Sequence, residues 1–224
     1  AKIVGENGLR AAIIERKTDI SKIRRICTMI CNIDEENTGD IMHFSEKTKR
    51  FIFPHNGFSF KYDGPTRKIY GFHIVTPAGY RMEMGNVTKG KAEGKNVGLM
   101  IHKGHMCQGL VNEAKAHGVE VFTNANINSV RKEPGYVALM DNRGNEYRGK
   151  FVIAADGVNS RIARLLGLDK DRVFIGTYRD MARTYEGYEI PDEECLLFGL
   201  GWKTGISFAP EITPGHFHVA ATGY

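Results

Sequence analysis

The spacing of hydrophobic positions changes several times along the chain, and each change predicts a different kind of element. Residues 1–4 read as the last turns of a helix that Gly8 terminates, and a short strand, LRAAII, follows at once and ends at Glu15. Residues 18–40 are polar, helical or irregular, and contain the break ENTGD. Over 41–84 the pattern becomes short β-like runs, RFIF, GFSFKY, KIYGFHIV and YRMEM, divided by the turn formers PHNG, DGP and PAG. Residues 85–98 are rich in Gly and Lys and read as a loop. In HKGHMCQGLVNEAKAHG, Met106, Leu110, Val111 and Ala114 fall at helical spacing, and Gly118 stops that helix before the strand VEVF.

Next, INSVRKE, YVALMD and EYRG alternate as a small antiparallel meander, with turns at Pro134-Gly135 and over 141–145. FVIAAD is apolar on both faces, the pattern of a central strand in a parallel sheet, and it leads through Asp156-Gly157 into a helix over 160–166 that Gly167 closes. The last fifty residues return to β-like runs: RVFIGTYRDMART, ECLLFGLG, TGISFAP and HFHVAATG. Two β-rich stretches thus alternate with two α/β stretches. The economical arrangement is an α/β protein of two interleaved domains, one from 1–40 with 98–172 and the other, β-rich, from 41–97 with 173–224. An intact domain seldom opens in mid-helix, so residues 1–8 read as the remnant of a helix whose preceding strand and loop are missing, and the β-rich domain reads as incomplete at its C-terminal end.

Composition narrows this picture only a little. The 224 residues are 42% hydrophobic and 25% charged, as in an ordinary soluble globular protein. No run approaches the ~18 consecutive apolar residues of a membrane span, and no signal peptide is visible. The net charge of +5 is spread along the chain, with modest clusters at 22–25 and 47–50. It suits a solvated surface first and a phosphate-bearing cofactor or anionic membrane second; nucleic acid is not expected, because motif and concentrated patch are both absent. Four cysteines in a chain of this size point to a reducing, cytoplasmic setting. Cys27 and Cys31 lack a second Cys or His pair at zinc spacing, so no metal is expected.

Two positions carry candidate chemistry. In a dinucleotide-binding βαβ unit the second strand ends in an acidic residue whose carboxylate accepts hydrogen bonds from two vicinal ribose hydroxyls, and Glu15 stands at a strand end; on the motif alone a solvated strand end is its more ordinary reading. The Asp156-Gly157 corner admits two readings. It is an Asx-type turn that caps the following helix, or it is a place where small residues and free N–H groups receive a phosphate. Aromatic residues in the β-rich stretches suit either sheet packing or a ligand wall.

Taken in order, IIERK, the helix HKGHMCQGLVNEAKAHG, the strand VEVFTNANI, the meander and FVIAADGVNSRIARLLGL resemble the flavin-dependent oxidoreductases of the para-hydroxybenzoate hydroxylase fold, and within them the geranylgeranyl reductase branch. The resemblance implies a Rossmann-like FAD-binding domain with its first strand and Gly-rich loop missing. It implies FAD as cofactor, with Asp156 at the ribityl and pyrophosphate region, Gly157 allowing close backbone approach, and Ser160 and Arg161 shaping the start of the helix. It places Arg16 beside Glu15, Lys103 where the family often has an arginine over the pyrophosphate, and the backbone of Ala125 and Asn126 beside the adenine. Cys27 stands where geranylgeranyl reductases carry a cysteine near the flavin, as a candidate proton donor; its other reading is a buried thiol. Two departures are visible. A Gly-Asp segment near the flavin ring is absent, and around TGISFAPE Phe208 and Pro210 stand without the Tyr and Trp of the reductase pattern.

The implied activity is reduction of carbon–carbon double bonds in an isoprenoid chain by flavin hydride transfer. The implied partners are an apolar small-molecule substrate, an electron donor that is a nicotinamide cofactor or a ferredoxin-like protein, and a membrane surface touched peripherally. An aromatic-ring or quinone monooxygenase of the same fold is the alternative enzyme. A truncated, non-catalytic flavin-binding module is the alternative of another class.

Overall fold

The computed structural model describes residues 1–23, 30–34, 36–37, 39–173, 175–177, 179–188, 197–200 and 204–223. The chain is α/β and strand-rich, and it divides into two compact units, 1–20 with 114–176 and 21–113 with 177–224. Residues 21–40 and 98–113 thus belong to the unit that also holds 41–97. The reason is strand pairing: Gly98–Ile101 lies antiparallel between Ile30–Asn32 and Thr66–Ile69.

In the first unit, helix Lys2–Glu6 ends before Gly8, whose φ of 72° is the left-handed conformation that favours glycine. Strand Ala12–Ile14 then pairs in parallel with Glu120–Phe122. The meander forms as the alternation predicts, with Ile127–Glu133, Tyr136–Asp141 and Glu146–Gly149 in antiparallel register. Its central strand buries Ala138 and Leu139 on opposite faces, and Ile162 of helix Arg161–Leu165 is buried as well.

FVIAAD departs from expectation. Residues 151–155 form no strand, and Phe151 and Ile153 are 90% and 86% exposed. A strand apolar on both faces is held by neighbours on both edges. Among the described residues the parallel sheet has two strands, 12–14 and 120–122, and 151–155 pairs with neither.

In the second unit, a six-stranded sheet runs in the order Arg81–Met84, Phe72–Val75, Leu197–Leu200, Thr204–Pro210, His216–Gly223, Arg179–Glu186. Its pairs are antiparallel except Phe72–Val75 with Leu197–Leu200. The predicted run KIYGFHIV is two strands, broken at Tyr70-Gly71, and its halves enter different sheets. Residues 85–98 are not all loop: Asn86 caps helix Val87–Glu93 by accepting from Lys89 N–H, and Gly94 ends it at φ 68°. The strand Gly98–Ile101, four buried residues too short to show a period, was not predicted.

Four aromatics of the first β-rich stretch are core, whereas Tyr80 is exposed. Phe44, Phe51, Phe60 and Tyr62 pack with Ile33, Leu99 and Ile101, and the Phe51 and Phe60 rings stack at 5.2 Å. Tyr62, fully buried, donates to Pro65 C=O at 2.6 Å and accepts from His102 N–H at 2.7 Å, which resolves its polar end inside that core. Helix Lys103–Ala116 follows at once, and its glycines are contacts: a Cβ on Gly104 would stand 2.2 Å from Ser21 O, and one on Gly109 2.3 Å from Lys61 O. Among the described residues, no helix is long and apolar enough to cross a membrane.

Candidate cofactor site

The first unit gathers most of the predicted site residues around the ends of its two parallel strands. Both strands finish on the same side, and the segments leaving them are laced together by backbone bonds. Glu15 N–H donates to Phe122 C=O at 2.8 Å, Ala125 N–H to Glu15 C=O at 2.9 Å, and Asn124 N–H to Lys17 C=O at 2.9 Å. Asn124 takes φ 55°, a left-handed conformation that asparagine tolerates, and this turns the chain at the corner. Ala125 is buried and Asn126 exposed.

The Glu15 carboxylate lies at this corner, half-buried. Its Oε1 accepts the N–H of Lys17 at 2.8 Å, across the turn that contains Arg16. Oε2 has no partner among the hydrogen bonds of the described residues. A carboxylate fixed through one oxygen, with the other available, fits the task of accepting from a diol.

The Asp156 corner is a cap. Ser160 Oγ donates to Asp156 Oδ1 at 2.6 Å, Ile162 N–H to Asp156 Oδ2 at 3.1 Å, and Ala163 N–H to Ser160 Oγ at 2.9 Å. Partial burial would raise the Asp156 carboxyl, but the Ser160 hydroxyl and the Ile162 and Arg161 backbone N–H groups hold it below the ordinary carboxylate range. Gly157 sits at φ 91°, and a Cβ built there would meet nothing within 4 Å. Its glycine is required by conformation, and its open surroundings leave room for a ligand to approach the backbone.

The two corners are joined. Arg161 Nη1 donates to Asn126 Oδ1 and to Ile127 C=O, both at 3.2 Å. Asn126 is held from its other side by the meander turn: Asn142 N–H donates to Asn126 C=O at 3.0 Å, and Asn126 N–H to Asn142 Oδ1 at 3.3 Å. Behind that turn Asp141 is buried and accepts from Arg143 N–H, Asn145 N–H, Asn145 Nδ2 and the Tyr147 hydroxyl at 2.8–3.0 Å. Burial alone would push its carboxyl up; these donors, led by Asn145, hold it well below the usual range. Asn142 and Asp141 carry no sequence signal beyond a turn-forming DNRGN, since their role depends on which strand end the turn faces.

The structure therefore brings Glu15, Arg16, Ala125, Asn126, Asp156, Gly157 and Ser160 into one unit. Lys103, the first residue of helix Lys103–Ala116, falls in the other unit. Cys27 lies outside the described residues. Among the described residues no group of three His, Cys, Asp or Glu side chains is placed to hold a metal ion.

In the second unit, one face of the six-stranded sheet carries a few exposed apolar side chains beside charged ones. Register places Ile206, Ala221 and Met181 in one row across it, Phe208, Val219 and Arg183 in the next, and Tyr185 and Phe217 beyond, against a fully buried Pro210. Met181 is 75% exposed, and the Tyr185 and Phe217 rings stack at 5.5 Å. The opposite face buries Ser207, Ala209 and His218.

This architecture is found in known proteins. The chain superposes over 99% of its length on a geranylgeranyl bacteriochlorophyll reductase-like protein from Thermoplasma acidophilum, with a TM-score of 0.69 and 19% identity, covering 52% of that chain. It superposes over 99% of its length on a probable FAD-dependent monooxygenase from Pseudomonas aeruginosa, with a TM-score of 0.65 and 12% identity, covering 56% of that chain. Its fold is that of the FAD-dependent oxidoreductases. In sequence, the chain is 28% identical over 153 residues, 66% of its length, to a digeranylgeranylglycerophospholipid reductase from Methanosarcina acetivorans. The match spans 34% of that relative's length. The resemblance to geranylgeranyl reductases drawn from the residues is thus also one of overall sequence and fold. No protein-family model matches the chain.

Proposed function

We propose that this chain binds FAD and belongs to an oxidoreductase that reduces carbon–carbon double bonds of an isoprenoid chain. The observation that carries the cofactor reading is the joined pair of corners in the first unit. One holds a strand-end carboxylate fixed through a single oxygen, and the other holds a glycine with open surroundings beside a capped helix. Glu15 Oε2 would accept from the ribose hydroxyls, and the backbone at Ala125 and Asn126 would border the adenine. Gly157 would let the pyrophosphate region come close to the main chain. Asp156 and Ser160 would hold that turn, since their oxygens already serve the helix N–H groups. Once reduced by the electron donor, a bound flavin would supply hydride chemistry at a carbon centre, and the residues named here would hold and orient it.

The reductive reading rests on the likeness to the Methanosarcina digeranylgeranylglycerophospholipid reductase and the Thermoplasma geranylgeranyl bacteriochlorophyll reductase-like protein. The electron donor would be a nicotinamide cofactor or a ferredoxin-like protein, Cys27 a proton donor and Lys103 a pyrophosphate contact. Peripheral contact with an anionic membrane belongs to the same reading, and co-sedimentation with anionic vesicles checks it. A second reading, oxygen-dependent hydroxylation of an aromatic or quinone, is favoured by the Pseudomonas neighbour.

The visible spectrum of the purified protein tests the cofactor. Bound oxidised flavin is expected, and a colourless protein that fails to take up added FAD overturns the proposal. Anaerobic turnover of polyprenyl lipids with dithionite as reductant supports reduction. Consumption of oxygen with hydroxylation of an aromatic, and no lipid turnover, supports the second reading instead.

A further inference from the structure

We propose that Asn142, in the turn of the meander, is a positioning residue for the FAD site; the inference rests on the cofactor reading above. Asn142 and Asn126 exchange two hydrogen bonds, N–H to C=O at 3.0 Å and N–H to Oδ1 at 3.3 Å. Such a reciprocal pair fixes both the place and the orientation of the Asn126 peptide. With its backbone held, Asn126 turns its Oδ1 to Arg161, which also grips Ile127 C=O. Arg161 is the first residue of the helix that Asp156 and Ser160 cap. Asn142 therefore acts through Asn126 and Arg161 on both corners at once. The turn itself is made stiff by the four donors that close on Asp141, so the reference point does not move.

Asn126 and Asn142 are both exposed, so the pair adds little to the burial that holds the fold. That separates positioning from stability. Substituting Asn142→Ala removes the acceptor for Asn126 N–H and leaves the backbone bond in place. Asn142→Asp restores an acceptor oxygen at the same atom.

The test is FAD affinity, read by quenching of flavin fluorescence, beside the thermal midpoint of the protein without FAD. N142A is expected to weaken FAD about three- to tenfold, the loss of one hydrogen bond, with the midpoint shifted by no more than about 2 °C. N142D is expected to bind FAD as the unsubstituted protein does. In N142A combined with R161A the loss is expected to be smaller than the product of the single losses, because both act through Asn126. FAD affinity unchanged in N142A overturns the inference, as does failure of N142D to rescue. A fall in midpoint that accounts for the lost affinity also overturns it, since the role is then structural. Unsubstituted protein that takes up no FAD overturns the cofactor reading itself. In that case hydrogen exchange still tests the positioning: the Asn126 amide is expected to exchange faster in N142A than in the unsubstituted protein, and equal rates overturn the inference.

Discussion

The meander and the segment directly after it contain similar residues and meet opposite fates. YVALMD and FVIAA are both short, apolar and rich in β-formers. YVALMD lies between two antiparallel strands, with Ala138, Leu139 and Asp141 buried, whereas Phe151 and Ile153 of the next run are almost wholly exposed. Hydrophobic content does not separate them. What separates them is whether a neighbouring strand is brought alongside: turns of two and four residues do this locally for the meander, while a parallel strand depends on partners distant in sequence.

This contrast can be broken from either side. The largest effect is expected from Leu139→Ala, which empties a buried site and should cost about 2–4 kcal/mol, read as a shift in chemical denaturation. Removing the anchor of the turn comes next. Asp141→Asn turns an amide toward the Asn145 and Tyr147 donors and should lower the thermal midpoint by about 5 °C.

The pH dependence follows from the same carboxylate. Because the folded state holds Asp141 below its unfolded value of about 3.9, its stabilisation is full above that pH and is lost as pH falls through the folded value. The midpoint of the unsubstituted protein should therefore drop more steeply below about pH 4 than that of D141N. Equal slopes would show that Asp141 does not anchor the turn.

A smaller effect is expected at the cap. Ser160→Ala removes the acceptor for Ala163 N–H and the donor to Asp156, and should cost about 1 kcal/mol. Least is expected of Ile153→Ser, at most about 0.5 kcal/mol, with reduced self-association measured by light scattering. A large loss of stability in I153S would show that residues 151–155 are paired in solution.

Much of the fold is legible along the chain because its signals are local. Gly8, Gly118 and Gly167 stop helices where the pattern ends, each with positive φ. The meander follows from alternation and two turns. Asn86 and Gly94 also spell out a capped helix, but the Gly and Lys between them suggest a loop until Gly90 is seen packing close to Lys95 O, where a Cβ would stand at 2.8 Å. Tyr70-Gly71 hid a break between two sheets, because a continuous β-like run does not reveal which partner each half will find.

At the candidate site, strand position singled out Glu15 and turn chemistry Asp156 and Gly157, but each also had an ordinary use, as a solvated strand end or a helix cap, and the family resemblance was needed to join them. The same reading could not reveal that both Asp156 oxygens serve a cap, or that Asn142 reaches Asn126 across the corner. The sequence by itself determined where helices and hairpins start and stop, because capping, turn geometry and alternation act within a few residues. Only the tertiary structure decided which strands pair, which aromatics become core and which polar groups meet, because those outcomes depend on segments far apart in the chain being brought within hydrogen-bonding distance.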